Sequence, residues 1–161
     1  MPIKVGDRLP EAKFRVMTAE GPAWKTTNEI FAGKKVAMFA VPGAFTGTCH
    51  KSHMPGFVRN ADALKAKGVD TIAVTAVNDH FVLDEWIKAS GATGKIEFLG
   101  DGNGDFAKAI DMAADMSVAG MGTRTKRYAM LVDDGVVKVL NIEEKPGVAE
   151  ISSADNLLKS L

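Results

Sequence analysis

Cysteine is almost absent from this chain of 161 residues: Cys49 stands alone. One cysteine excludes an intrachain disulfide, so the fold must be held by its core and not by oxidative staples. An excess of one charge is missing too. Twenty lysines and arginines balance twenty aspartates and glutamates, which removes the broad electrostatic case for nucleic acid or an anionic membrane as partner. No apolar run approaches the ~18 residues of a membrane span, and the opening MPIKVGDRLPEAKF lacks the apolar stretch of a secretory signal. Three scattered histidines and one cysteine offer no ligand spacing for zinc. No Gly-x-Ser-x-Gly elbow marks a serine hydrolase. The run from Asp101 to Asp105 starts like a calcium loop, but Phe106 stands where that loop needs glycine and Met112 where it needs glutamate, so it reads as a turn. No metal and no cofactor is expected. A reducing compartment, the cytoplasm or an organelle lumen derived from it, is the expected home.

Length and composition suit one domain over residues 1–161, with 46% hydrophobic and 25% charged residues. The segment before Gly33 reads as irregular, with a turn at Gly21-Pro22 and a short helix over Thr27 to Phe31. Val36 to Val41 is a continuous apolar run bounded by Lys34-Lys35 and Pro42-Gly43, the pattern of a strand buried on both faces. A helix is expected from about Cys49 to Lys67. Met54, Phe57, Val58, Ala61 and Leu64 fall on one face of it, and Pro55 bends it. Thr71 to Val77 is a second buried strand, and Asn78-Asp79 cap a helix carrying Phe81, Val82, Trp86 and Ile87. Ile96 to Leu99 is a short strand, followed by a helix near Asp105 to Asp111. Asp133-Asp134-Gly135 joins two strands in a hairpin, and Ser152-Ser153-Ala154-Asp155 starts a last helix. Helices that cross between strands predict an α/β fold of three layers, a mixed central sheet flanked by helices.

The chemistry gathers where the first buried strand empties into Pro42-Gly43-Ala44-Phe45-Thr46-Gly47-Thr48-Cys49. Such strand-to-helix junctions are where α/β folds place sites. A helix start carries unpaired N–H groups and the positive end of the dipole, both of which favour a thiolate over a thiol. A lone cysteine is otherwise a small core hydrophobe. The junction, and a loop too rich in glycine and threonine to be packing, favour a nucleophile.

Pro42, Thr46 and Cys49 form a Pro-x-x-x-Thr-x-x-Cys signature that resembles the peroxiredoxins, and Val41 to Thr46 resembles their type II or Prx5-like branch. The likeness continues in Lys51 to Phe57, Val77-Asn78-Asp79, Gly122 to Ala129 and Ile3 to Asp7. It implies a thioredoxin-like fold and reduction of hydrogen peroxide and organic hydroperoxides. On this likeness Cys49 is the peroxidatic residue that passes through a sulfenic acid. The Thr46 hydroxyl bonds the peroxide, Arg127 stabilises the thiolate and orients the peroxide, and Pro42 shields the sulfur, with Gly47 and Thr48 beside the substrate. His50, His53 and Arg124 are supporting candidates. His50 could act on the thiol or face solvent, His53 could support the network or be structural, and Arg124 could share the role of Arg127 or be a solvated loop charge. Gly47 gives the loop more freedom than the proline often found at such positions.

Without a second cysteine, the sulfenic acid must be resolved by an external thiol. The resemblance favours glutathione, with or without glutaredoxin, over thioredoxin, and implies a homodimer. Two other readings use the same cysteine: a monothiol thioltransferase built on Cys49-His50-Lys51-Ser52, and a non-catalytic redox sensor. Thr46 and Arg127 favour the peroxidase, since simple thiol exchange needs neither donor.

Overall fold

The computed structural model describes residues 2–145 and 147–161. It begins with a hairpin, β1 (Lys13–Thr18) and β2 (Gly21–Thr26), whose turn lies at Ala19-Glu20. This hairpin replaces the irregular segment expected from the sequence. The alternation that makes β1 a strand is present, with Phe14 and Val16 buried between outward-facing neighbours. Pro22 is tolerated because β2 is an edge strand that needs no donor on its free side. Helix α1 (Thr27–Phe31) follows, closed by a reciprocal capping box between Thr26 and Glu29.

Next come β3 (Lys35–Ala40), a wide helical turn at Cys49–His53, α2 (Met54–Arg59), α3 (Ala61–Ala66), β4 (Thr71–Ala76) and α4 (His80–Ala89). They are followed by β5 (Glu97–Gly100), α5 (Asp105–Ala109), β6 (Ala113–Asp115), β7 (Thr123–Thr125), β8 (Tyr128–Asp133), β9 (Val136–Ile142) and α6 (Ala154–Leu158). Seven strands form one sheet in the order β2-β1-β5-β4-β3-β8-β9, and β6 and β7 pair as a separate flap. The β3–β4 and β4–β5 pairs are parallel, while β1, β8 and β9 run antiparallel to their neighbours. The sheet is therefore mixed, as its pattern of crossovers predicts.

The unbroken apolar run of β3 follows from burial on both faces. Ala37 and Phe39 face one core with α2, α3, α4 and α6, whereas Val36, Met38 and Ala40 face the other with α1 and α5. On α4 the buried residues are Leu83, Trp86 and Ile87 with Val82 packed partly against them, so of the expected face only Phe81 stays exposed. Asp79 caps this helix through Val82 N–H.

The expected single helix from Cys49 to Lys67 is broken in two places. Asn60 separates α2 from α3. Before α2, Met54 N–H donates to Cys49 O, five residues back, which makes Cys49–His53 a π turn. Pro55 stands just beyond, at the start of α2, where a missing N–H costs least.

Candidate active site

Strand β3 carries the chain into the loop at Pro42 and delivers Cys49 to the edge of the first core cluster, where it is 1% exposed. Helical backbone is already established at Gly47 and Thr48, so the sulfur lies within the first helical turn. Its neighbours come from two directions. Thr46, three residues earlier, places Oγ1 at 3.1 Å from Sγ and donates to Gly43 O at 2.6 Å. A hydroxyl has one proton and two lone pairs, so Thr46 can serve Gly43 or the sulfur, and can also accept from an incoming O–H. Arg127, at the start of β8 and 3% exposed, donates from Nη2 to Sγ at 2.9 Å. A guanidinium only donates, so the sulfur it meets acts as an acceptor.

Behind Arg127 stands His53, 2% exposed, at the end of the π turn. Arg127 Nη1 lies 3.0 Å from its Nδ1, and its Nε2 lies 2.8 Å from Ser152 O. With an obligate donor on Nδ1 and a carbonyl on Nε2, the proton sits on Nε2 and the ring is neutral. Burial against Phe39 and Phe57 and the charge of Arg127 lower its pKa to about 3, against the opposing pull of the Ser152 carbonyl.

The loop in front is fixed mainly through its backbone. Ala44 N–H donates to Asn78 Oδ1 at 2.9 Å. Gly43 lets the loop pack closely: a Cβ there would lie 3.0 Å from Thr46 Cγ2 and 3.2 Å from Arg124 Nη1, so both side chains would have to shift. Phe45 adopts a positive φ of 62°, a conformation that costs energy for a residue with a side chain, and it is exposed.

The remaining candidates fall into place around this centre. Pro42 is buried at the end of β3. Gly47 is exposed with nothing near a hypothetical Cβ, and the Thr48 hydroxyl donates to Gly147 O at 2.8 Å instead of facing the sulfur. Arg124 is not a solvated loop charge. Its Nε donates to Met121 O at 2.9 Å, and Nη1 reaches Pro42 O and Val77 O at 3.4 and 3.5 Å, so it braces the loop from outside. His50 does not turn to solvent either: its Nδ1 accepts the Trp86 indole N–H at 3.0 Å, beside the Phe45 ring. That bond leaves Nδ1 as an acceptor and turns it away from any donation to Cys49.

Four participants were not legible as such. Asn78 reads as a helix cap, Trp86 as part of a helix's apolar face and Ser152 as part of a cap, while Glu143, which accepts from Ser152, draws no reading. Of these, Asn78 carried a signal, since it lies in a stretch that contributes to the resemblance.

Comparison with known proteins decides the family. The Redoxin family model matches residues 4–158. The chain belongs to that family. It is 45% identical to Peroxiredoxin-2E, chloroplastic, of Arabidopsis thaliana over 163 residues, covering 99% of this chain and 69% of the relative. It is 44% identical to Peroxiredoxin-2C of Oryza sativa, with 99% of each covered. Among solved structures, reduced Prx3 of Vibrio vulnificus in complex with H2O2 superposes with a TM-score of 0.93 at 46% identity, with 98% of each chain covered. The 1-Cys peroxiredoxin of Plasmodium falciparum superposes at 0.90 with 28% identity, covering 99% of this chain and all of that one. The fold is thioredoxin-like, and peroxiredoxin homology supports thiol-dependent peroxidase activity. Relatives named as chloroplastic and mitochondrial leave the cytoplasmic expectation without support. Among the described residues, no helix is long and apolar enough to cross a membrane.

Proposed function

We propose that this peroxiredoxin reduces hydrogen peroxide and organic hydroperoxides through a one-cysteine cycle, with Cys49 as nucleophile and Arg127 and Thr46 as the groups that orient the peroxide. The observation that carries this reading is the convergence of Arg127 Nη2 and Thr46 Oγ1 on Cys49 Sγ, at 2.9 and 3.1 Å. The thiolate attacks the terminal, protonated oxygen of ROOH. An S–O bond forms as the O–O bond breaks, the sulfur is oxidised to the sulfenic acid, and RO⁻ takes a proton and leaves as water or an alcohol. The guanidinium and the hydroxyl are fixed donors near the charge that moves from sulfur to the departing oxygen, where preorganised dipoles act most strongly. The Thr46 lone pairs can accept the peroxide O–H and so align the O–O bond with the sulfur. Pro42 excludes water on one side, while Gly47 and Thr48 frame the mouth.

In the second half, an external thiol attacks the sulfenic sulfur and releases water. A second thiol then displaces the mixed disulfide and regenerates Cys49. Cys49 is the only sulfhydryl in the chain, and an identical partner in the expected homodimer adds only another Cys49. Glutathione, alone or with glutaredoxin, is the reductant we favour over thioredoxin, in a reducing compartment. Thioltransferase chemistry would use the guanidinium on Sγ to favour the thiolate but has no O–O bond for Thr46 and Arg127 to orient together.

Intact mass after one equivalent of H2O2 tests the first half: one added oxygen on Cys49 is expected, and an unmodified thiol refutes it. Adding glutathione, glutaredoxin with glutathione, or thioredoxin to the oxidised protein tests the second. Glutathione should give a mixed disulfide and then the thiol, whereas reduction by thioredoxin alone would overturn the preference.

A further inference from the structure

We propose that Glu143 is a positioning residue for Arg127, acting through Ser152 and His53 on a guanidinium it does not touch with its carboxylate. The four residues close a ring of hydrogen bonds. Arg127 Nη1 donates to His53 Nδ1 at 3.0 Å, and His53 Nε2–H donates to Ser152 O at 2.8 Å. Ser152 N–H and Oγ–H both donate to Glu143 Oε1, at 2.8 and 3.0 Å. Glu143 N–H then donates to Arg127 O at 3.0 Å, extending the β8–β9 ladder past its last strand pair. Ser152 and Glu143 are both buried, at 0% and 8% exposure.

The ring matters because arginine is held by what its flexible stem meets. His53 holds Nη1 while it offers a bare Nδ1, and that tautomer holds only while a carbonyl accepts from Nε2. The accepting carbonyl belongs to Ser152, whose conformation is pinned where both its N–H and its hydroxyl end on one carboxylate oxygen. Without Glu143, two buried donors of Ser152 lose their acceptor, which is costly enough for the residue to move. A displaced Ser152 carbonyl frees His53 to carry its proton on Nδ1. A donor would then face the guanidinium, and Nη2 would drift from the line of attack at Cys49. Nothing in the sequence marks Glu143 for this role, because it opens a charged stretch just after β9.

The inference rests on the proposed role of Arg127, and its test uses two reagents. Peroxide oxidation of Cys49 needs an oriented guanidinium, whereas alkylation by iodoacetamide needs only an accessible thiolate, so the ratio of the two rates cancels changes in ionisation and access. Both rates are measured for the full chain and for Glu143→Ala, Glu143→Asp and Glu143→Gln. Gln keeps an Oε1 acceptor at the same reach, and Asp keeps the charge but is one methylene short. The ratio of peroxide rate to alkylation rate should fall about tenfold or more in Ala and Asp, since small misplacements of catalytic groups cost rate steeply. It should stay within about twofold of wild type in Gln, which preserves the acceptor. A purely structural role would lower melting temperature and change both rates together, leaving the ratio constant, and would overturn the proposal. So would a Gln variant as slow as Asp. If the Ala variant does not fold, the Asp and Gln pair decides alone. Wild-type protein that takes up no oxygen refutes the peroxidase reading itself; wild-type uptake with a constant ratio refutes only the role of Glu143.

Discussion

The two sides of Cys49 are held by different kinds of structure. In front, the loop from Pro42 to Thr48 touches the sulfur at short range, while Asn78, Arg124 and Gly147 hold its backbone and rim from afar. Thr46 reaches the sulfur from three residues away, Phe45 sits exposed at a positive φ, and the Thr48 hydroxyl is spent on Gly147. Behind, among the described residues, the partners are buried and remote in sequence: Arg127 is 78 residues from Cys49, and Ser152 is 99 from His53. A front that lies partly exposed can rearrange while the core stays packed, whereas the back can move only if β8, β9 and α6 move with it. The buried back therefore fixes the guanidinium, and the front governs access and supplies the hydroxyl of Thr46.

The severest way to break this comparison is to remove what the two sides share. Cys49→Ser should abolish peroxide consumption completely in a glutathione-coupled assay, with Arg127 and Thr46 both intact. Next in size is acid. His53 is neutral in the folded chain down to about pH 3 but takes a proton near pH 6.5 once unfolded. The unfolded state thus binds the extra proton between those values, so stability is full above pH 6.5 and declines as pH falls toward 3, by several kcal/mol if His53 acts alone. Denaturant titrations across this window should show the decline, and His53→Gln should flatten it.

Arg127→Ala should slow sulfenic acid formation about a hundredfold by stopped-flow, the usual scale for losing a preorganised donor. Arg127→Lys should recover only part, because an ammonium cannot hold Sγ and His53 Nδ1 with one planar fork. Thr46→Val removes the front donor while keeping the shape, and about a tenfold loss is expected. Thr46→Ser should restore most of it. Thr48→Ala should have the smallest effect, about 1 kcal/mol of stability with peroxide rates within about twofold of wild type. A Thr48→Ala loss as large as that of Arg127→Ala would show that the front does more than admit the substrate.

This division also explains what could be read in advance. The front is contiguous, so Pro42, Thr46 and Cys49 stand in one line of sequence with their spacing visible. The buried strands β3 and β4 were legible because two-sided burial writes an unbroken apolar run. The back depends on the sheet bringing β8, β9 and α6 beside the π turn. Glu143 and Ser152 acquire their meaning from that topology, and a charge after a strand looks the same whether it is solvated or buried. His50 and Arg124 were misread for a related reason, since their partners, Trp86 and the carbonyls of Pro42, Val77 and Met121, are mostly distant. The β1–β2 hairpin was overlooked although Phe14 and Val16 alternate with outward residues. Gly21-Pro22 drew the turn two residues too far along, into what is the start of β2.

The π turn at Cys49–His53 acts on the helix as a frameshift. An α-helix advances roughly 100° per residue, and a turn closed by a bond five residues long accommodates one residue more than an α turn does. From Met54 onward the core face is in register, with Met54, Phe57 and Leu64 fully buried. The extra residue is what brings the sulfur round to Arg127 without disturbing that register. Deleting any one of His50, Lys51 or Ser52 would let the segment rewind as an ordinary helix, keeping either the core face or the sulfur in phase, but not both.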